Sequence, residues 1–67
     1  MRVQEKAVLN FLTDYVGEHG YAPSYREICE GTGIRSSSSI QPVLDSLQDE
    51  GFIRHRARVS RAIALLR

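Results

Sequence analysis

The chain has 67 residues, of which 42% are apolar and 25% charged: room for one small domain with a modest core, and none for a large enzyme cleft. No apolar run approaches the roughly 18 residues that span a bilayer, the N-terminus lacks a signal-peptide pattern, and the single Cys29 excludes an internal disulfide, so a cytoplasmic protein is expected. The net charge of +1 conceals an asymmetry: three bases face five acids over residues 1–33, six face three over residues 34–67, and no acid follows from Phe52 onward, which points to a polyanionic partner.

The first segment, about Val3 to Glu18, sets Val8, Phe11, Leu12, Tyr15 and Val16 on one helical stripe, and His19-Gly20 ends it. Pro23 then biases Ala22 to an extended backbone. Ser24 is the expected N-cap of a second helix, with Glu27 three residues on to complete a capping box. Gly31 and Gly33, on either side of Thr32, are expected to break this helix. Its buried side is expected to use Ile28 and Cys29, the latter as a small apolar residue and not a reactive thiol, with Tyr25 partly exposed.

The stretch RSSSSIQPVLDSLQDEG, residues 35–51, carries a third helix. Ile40, Val43, Leu44 and Leu47 fall on its core face. Ser38, Pro42, Asp45 and Asp49 lie opposite, with Gln41 at one border and Ser39 and Ser46 at the other. Counted from an N-cap at Ser36, Pro42 would be the sixth helical residue, losing a hydrogen bond and pressing on the Ser38 carbonyl at a cost of about 3 kcal/mol. Counted from Ser39 it would stand third, where no N–H is missed, so regular helix is expected only after about Ser39. Gly51 suits the left-handed residue that closes a helix. Beyond it, FIRHR and RAIALL read as a two-stranded hairpin with its turn at Ala57 to Ser60, Ile53 and His55 on one face and Arg54 and Arg56 on the other.

Two short helices joined by a Gly-containing turn and followed by a basic hairpin form a winged helix-turn-helix, a mainly α fold with one small β-hairpin, here filling residues 1–67 as a single domain. In that arrangement the amino end of the last helix enters the major groove of double-stranded DNA. Ser36, Ser37, Ser38 and Ser39 can then cap the helix, donate to phosphates and approach bases closely. Gln41 has the chemistry to bond an adenine edge bidentately; Asp45 can accept from cytosine or can simply be solvated. Phosphate affinity would come from Arg35 beside the helix and from Arg54, Arg56, Arg58 and Arg61 on the wing. No catalytic nucleophile with a partner base is evident, and His19 and His55 lack companions for a metal, so neither enzyme activity nor a cofactor is expected. One alternative stays open here: a winged helix whose same surfaces touch protein, as an antirepressor or assembly subunit.

The motif Gly20-Tyr21-x-Pro23-Ser24-x-Arg26-Glu27-Ile28, together with Gly33, the serine run, Leu44-x-x-Leu47-x-x-x-Gly51-x-Ile53 and the closing RAIALL, resembles the N-terminal DNA-binding domain of LexA repressors, regulators of the bacterial SOS response. The likeness runs from about Ala7 to Leu66. It implies a three-helix core with a two-stranded wing, a homodimer on a palindromic operator, and a cytoplasmic, nucleoid-associated protein with no membrane partner. By position it implies base reading around Ser36, Ser38, Ser39, Gln41 and Pro42, and a wing around Arg58 and Arg61. Pro42 departs from the residues expected there, and Thr32 stands where an aliphatic residue is usual, implying a less well packed turn. LexA proteins continue into a self-cleaving peptidase domain that also dimerises them. This sequence carries no such domain, which leaves a stand-alone regulator or a piece of a longer repressor; the absence of a tag or linker favours the first.

Overall fold

In chain order the elements are α1 (Val3–His19), α2 (Tyr25–Thr32), α3 (Ser37–Asp49), β1 (Ile53–His55) and β2 (Ile63–Leu65). The structure, a computed structural model, describes residues 2–56 and 61–66, with Ser37 described by its backbone alone. Three helices and an antiparallel hairpin are the expected winged helix-turn-helix.

Along α1 the apolar stripe does what its spacing requires. Val8 and Leu12 are fully buried, Phe11, Tyr15 and Val16 half-buried, and Leu9 joins from the flank. Gly20 ends the helix with φ 80, its N–H donating to the Val16 carbonyl. The capping box at α2 forms as the sequence requires: the Ser24 hydroxyl accepts from the Glu27 N–H at 3.2 Å, and Glu27 Oε1 accepts from the Ser24 N–H at 2.7 Å.

Gly31 corrects an expectation. It lies inside α2 and does not break it; Gly33, at φ 79, is the residue that ends the helix. What Gly31 provides is room, because a Cβ there would stand 2.1 Å from Phe11 Cε1, so α1 and α2 can close only over a bare backbone. Thr32 turns its hydroxyl back to donate to the Ile28 carbonyl at 2.7 Å.

The late start expected for α3 is also corrected. The helix begins at Ser37 with Ser36 as its N-cap, and Pro42 sits inside it as the sixth residue. The first turn is tight, with the Ser39 N–H donating to the Ser36 carbonyl at 3.1 Å. Packing decides the matter: Ile40, Leu44 and Leu47 are fully buried and Val43 nearly so, and a single unbroken helix is what aligns them on the core. Pro42 and Ser38 lie on the exposed face, where water can reach the backbone group the proline leaves without a partner.

At its other end α3 closes in a Schellman turn: the Phe52 N–H reaches the Leu47 carbonyl and the Gly51 N–H the Gln48 carbonyl, both at 3.0 Å, with Gly51 at φ 83. The chain reverses directly into β1, which pairs with β2 in the register Ile53↔Leu65, Arg54↔Ala64, His55↔Ile63. Ile53 is buried and the His55 ring turns inward, while Arg54 and Arg56 are exposed, as pleating requires. The expected hairpin turn at residues 57–60 lies outside the described residues. One core, made of Val8, Leu12, Ile28, Ile40, Val43, Leu44, Leu47 and Ile53, joins all three helices to the hairpin.

Candidate nucleic-acid interface

The amino end of α3 presents the serine run. Ser36, Ser38 and Ser39 are exposed. Their hydroxyls bond one another, Ser36 Oγ lying 3.0 Å from Ser38 Oγ and 3.2 Å from Ser39 Oγ, and Ser36 makes no side-chain cap bond to the helix backbone. Capping, one role expected of these serines, is therefore not what Ser36 does. The N–H groups of a first helical turn point out of the terminus and attract anions. Arg35 is exposed just before this turn and lines a shallow depression with Ser39 and the start of α1.

From there one face of α3 runs through Ser38, Gln41, Pro42 and Asp45, residues three, four and seven apart and hence neighbours on the helix surface. Gln41 is half-buried, Pro42 and Asp45 exposed. Asp45 is where this face meets the wing: its Oδ1 accepts from His55 Nε2 at 2.8 Å, while the His55 ring is only 3% exposed. On the other side of the ring, Nδ1 lies 3.4 Å from the Tyr25 hydroxyl. Burial and then the Asp45 charge push the Tyr25 hydroxyl's pKa up, which keeps it a donor. The Gln48 side chain completes the join, its Oε1 accepting the His55 backbone N–H at 2.7 Å. Sequence reasoning missed Tyr25, Gln48 and this use of His55. The available signal was that Gln41, Asp45 and Gln48 share a helical stripe.

Arg54 and Arg56 are exposed on the outer face of the hairpin. Arg58 lies outside the described residues. Arg61 lines the same hairpin depression as Arg54 and Arg56 but, unlike them among the described residues, is also ion-paired. Its guanidinium reaches across to α2, where Nη1 donates to Glu27 Oε1 at 2.8 Å and Nη2 to Oε2 at 3.2 Å. Nη1 also donates to the Ala22 carbonyl at 3.0 Å, and the group sits 5.0 Å from the centre of the Tyr21 ring.

The Ser24 N–H and then Arg61 hold the Glu27 carboxyl well below its ordinary value of 4.5, at about 2. Its charged form is thus favoured by folding. The stability it adds is complete above about pH 4.5 and disappears as pH falls through about 2. Thermal melts taken from about pH 5 down to about pH 2 are expected to fall more steeply for the parent chain than for Glu27→Gln, which keeps a capping side chain but cannot titrate.

Among the described residues there is no group of three or more His, Cys, Asp or Glu placed to hold a metal ion, and no helix long and apolar enough to cross a membrane. Free Cys29 is half-buried against the core.

A family model described as the LexA DNA binding domain matches residues 2–62. Among similar proteins, a LexA repressor of Moorella thermoacetica is 44% identical over 59 residues, which is 88% of this chain and 29% of that protein. LexA repressor 1 of Nocardia farcinica is 44% identical over 61 residues, 91% of this chain and 28% of its own. A LexA repressor of Carboxydothermus hydrogenoformans is 36% identical over 63 residues, 94% of this chain and 31% of its own. The chain thus spans under a third of the length of the curated relatives it matches. With the family model covering nearly all of a three-helix fold that carries a basic hairpin, this chain belongs to the LexA DNA-binding domain family.

Proposed function

We propose that the chain binds double-stranded DNA sequence-specifically as the DNA-reading part of a LexA-like transcriptional repressor, two copies meeting a palindromic site. The amino end of α3 enters the major groove, and the wing lies on the sugar-phosphate backbone. The observation that best supports this reading is the Asp45–His55 contact at 2.8 Å, which ties the exposed face of α3 to β1 of the arginine-bearing hairpin.

In that pose each part has a role its chemistry suits. Ser38 and Ser39, small and neutral, allow close approach to base edges and phosphates. Gln41 offers an amide for an adenine. Asp45, fixed by His55, presents its second carboxylate oxygen to a cytosine amino group. Arg35, Arg54 and Arg56 neutralise phosphates; Arg58 belongs to the same basic wing by sequence. Arg61 is occupied by Glu27 and is not assigned a phosphate.

Selection of duplexes from a random pool, followed by binding titrations at several salt concentrations, tests this reading. A palindrome should be enriched, its half-site spacing reporting the dimer geometry. Gln41→Ala should cost about 1–3 kcal/mol on the selected site and little on others. Arg54→Ala and Arg56→Ala should weaken all duplexes alike, each making the log-affinity against log-salt slope shallower by about one. A chain that enriches no duplex and shows no salt dependence would end the reading.

A further inference from the structure

We infer that Arg61 and Glu27 form a strut that sets the wing's position for DNA binding, Arg61 acting as a positioning residue and not as a phosphate contact. The inference rests on the DNA-binding reading above.

Arg61 belongs to the hairpin and Glu27 to the first turn of α2, 34 residues away in sequence, and the two meet fork to fork. The fork is held at more than one point: Ala22 supplies a carbonyl, the Tyr15 hydroxyl accepts from Nη1 at 3.4 Å, and the Tyr21 ring lies under the guanidinium. Tyr21 in turn packs edge-on to Tyr15 with ring centres 5.9 Å apart, so the arginine ends an aromatic stack built on α1. Arg61 also has a φ of 60, the only positive value among the described residues other than glycine. Glycine or asparagine holds that conformation more cheaply, so the Arg61 fork is made at some cost in backbone conformation.

The geometry gives the hairpin two supports. On one side His55 ties β1 to α3 and to Tyr25; on the other Arg61, two residues ahead of β2, ties the hairpin to α2. With only three residues in each strand, the hairpin is too short to hold its own angle. Fixing that angle before DNA arrives removes an ordering cost from binding and keeps Arg54 and Arg56 in register with the groove that α3 reads.

The opposite role predicts an opposite sign. If Arg61 left Glu27 to contact a phosphate in the complex, removing the acid would free it and binding would tighten. Glu27→Gln separates the two, because glutamine still completes the capping box with Ser24 but cannot form the charged fork. Binding of the selected duplex is to be measured for the parent chain, Glu27→Gln, Arg61→Lys, Arg61→Ala and the double variant, with Arg54→Ala as the reference for a phosphate contact. Hydrogen exchange of the hairpin amides, notably the Arg56 N–H bonded to the Ala62 carbonyl, is followed in parallel.

The expected result is a loss of about tenfold in Glu27→Gln and Arg61→Ala, no further loss in the double variant, an unchanged salt slope and exchange that quickens in the hairpin by more than the general loss of stability accounts for. Arg61→Lys, which keeps the charge but not the fork, should resemble Arg61→Ala. Tighter binding by Glu27→Gln, multiplying losses, or a slope shallower by about one in Arg61→Ala would overturn the inference. So would a Glu27→Gln chain unfolded at the assay temperature, since the pair would then serve the whole fold and not the wing. A parent chain that binds no duplex sinks the DNA-binding reading itself, a separate outcome.

Discussion

Pro42→Ala is expected to stabilise the chain by about 2 kcal/mol, raising its melting temperature on the order of 10 °C. Pro42 is the sixth residue of α3, well past the first turn in which a missing N–H is free of cost. An interior proline costs about 3 kcal/mol relative to alanine, through one lost hydrogen bond to the carbonyl four residues back and the ring's pressure on it. Against this, alanine loosens the unfolded chain, which returns roughly 0.4–1 kcal/mol. The difference stays large for a domain of this size, whose whole stability is on the order of 5 kcal/mol. Urea and thermal unfolding of the two chains check it. An unchanged or lower melting temperature would mean that the proline is matched to a distortion of α3 that alanine does not relax.

Gly31→Val should act in the opposite direction, costing about 3 kcal/mol or more. A Cβ at this position meets three atoms of the Phe11 ring, at 2.1, 2.6 and 2.7 Å, so either the ring leaves its place against the core or α2 lifts from α1. A valine adds two methyl groups to that collision. Phe11→Leu withdraws the far ring atoms, so the double variant is expected to be more stable than the sum of the two single losses allows. Additive losses in urea titrations would show that Gly31 matters for some reason other than the closeness of the two helices.

These two residues mark the boundary of what the sequence alone reveals. Features built from neighbours two to seven positions apart are legible: the Ser24–Glu27 capping box, the core stripe from Ile40 to Leu47, the Gly51 reversal and the alternation through β1. Each is decided within one or two turns of chain. By local rules Gly31 reads as a helix breaker, because its real constraint, the Phe11 ring, comes from another helix. Local propensity predicts that Pro42 delays α3, whereas burial of the four apolar side chains of α3 against the rest of the core outweighs that penalty. The candidate site divides in the same way. The serine run, Gln41 and the arginines are visible as residue types, but their partners are not. That Asp45 is held by His55 and Arg61 by Glu27 depends on how the hairpin folds back over the helices.

Phe52 is both the last link of the α3 closure and a rung of the hairpin: its N–H bonds the Leu47 carbonyl, and its own carbonyl accepts the Leu66 N–H at 2.9 Å. There is no spare residue between the helix and the ribbon, so neither can be lengthened, shortened or swapped without dragging the other. Moving this helix and ribbon onto another scaffold would mean transplanting residues 36–66 as one cassette, with Tyr25 and Glu27 brought along to receive it.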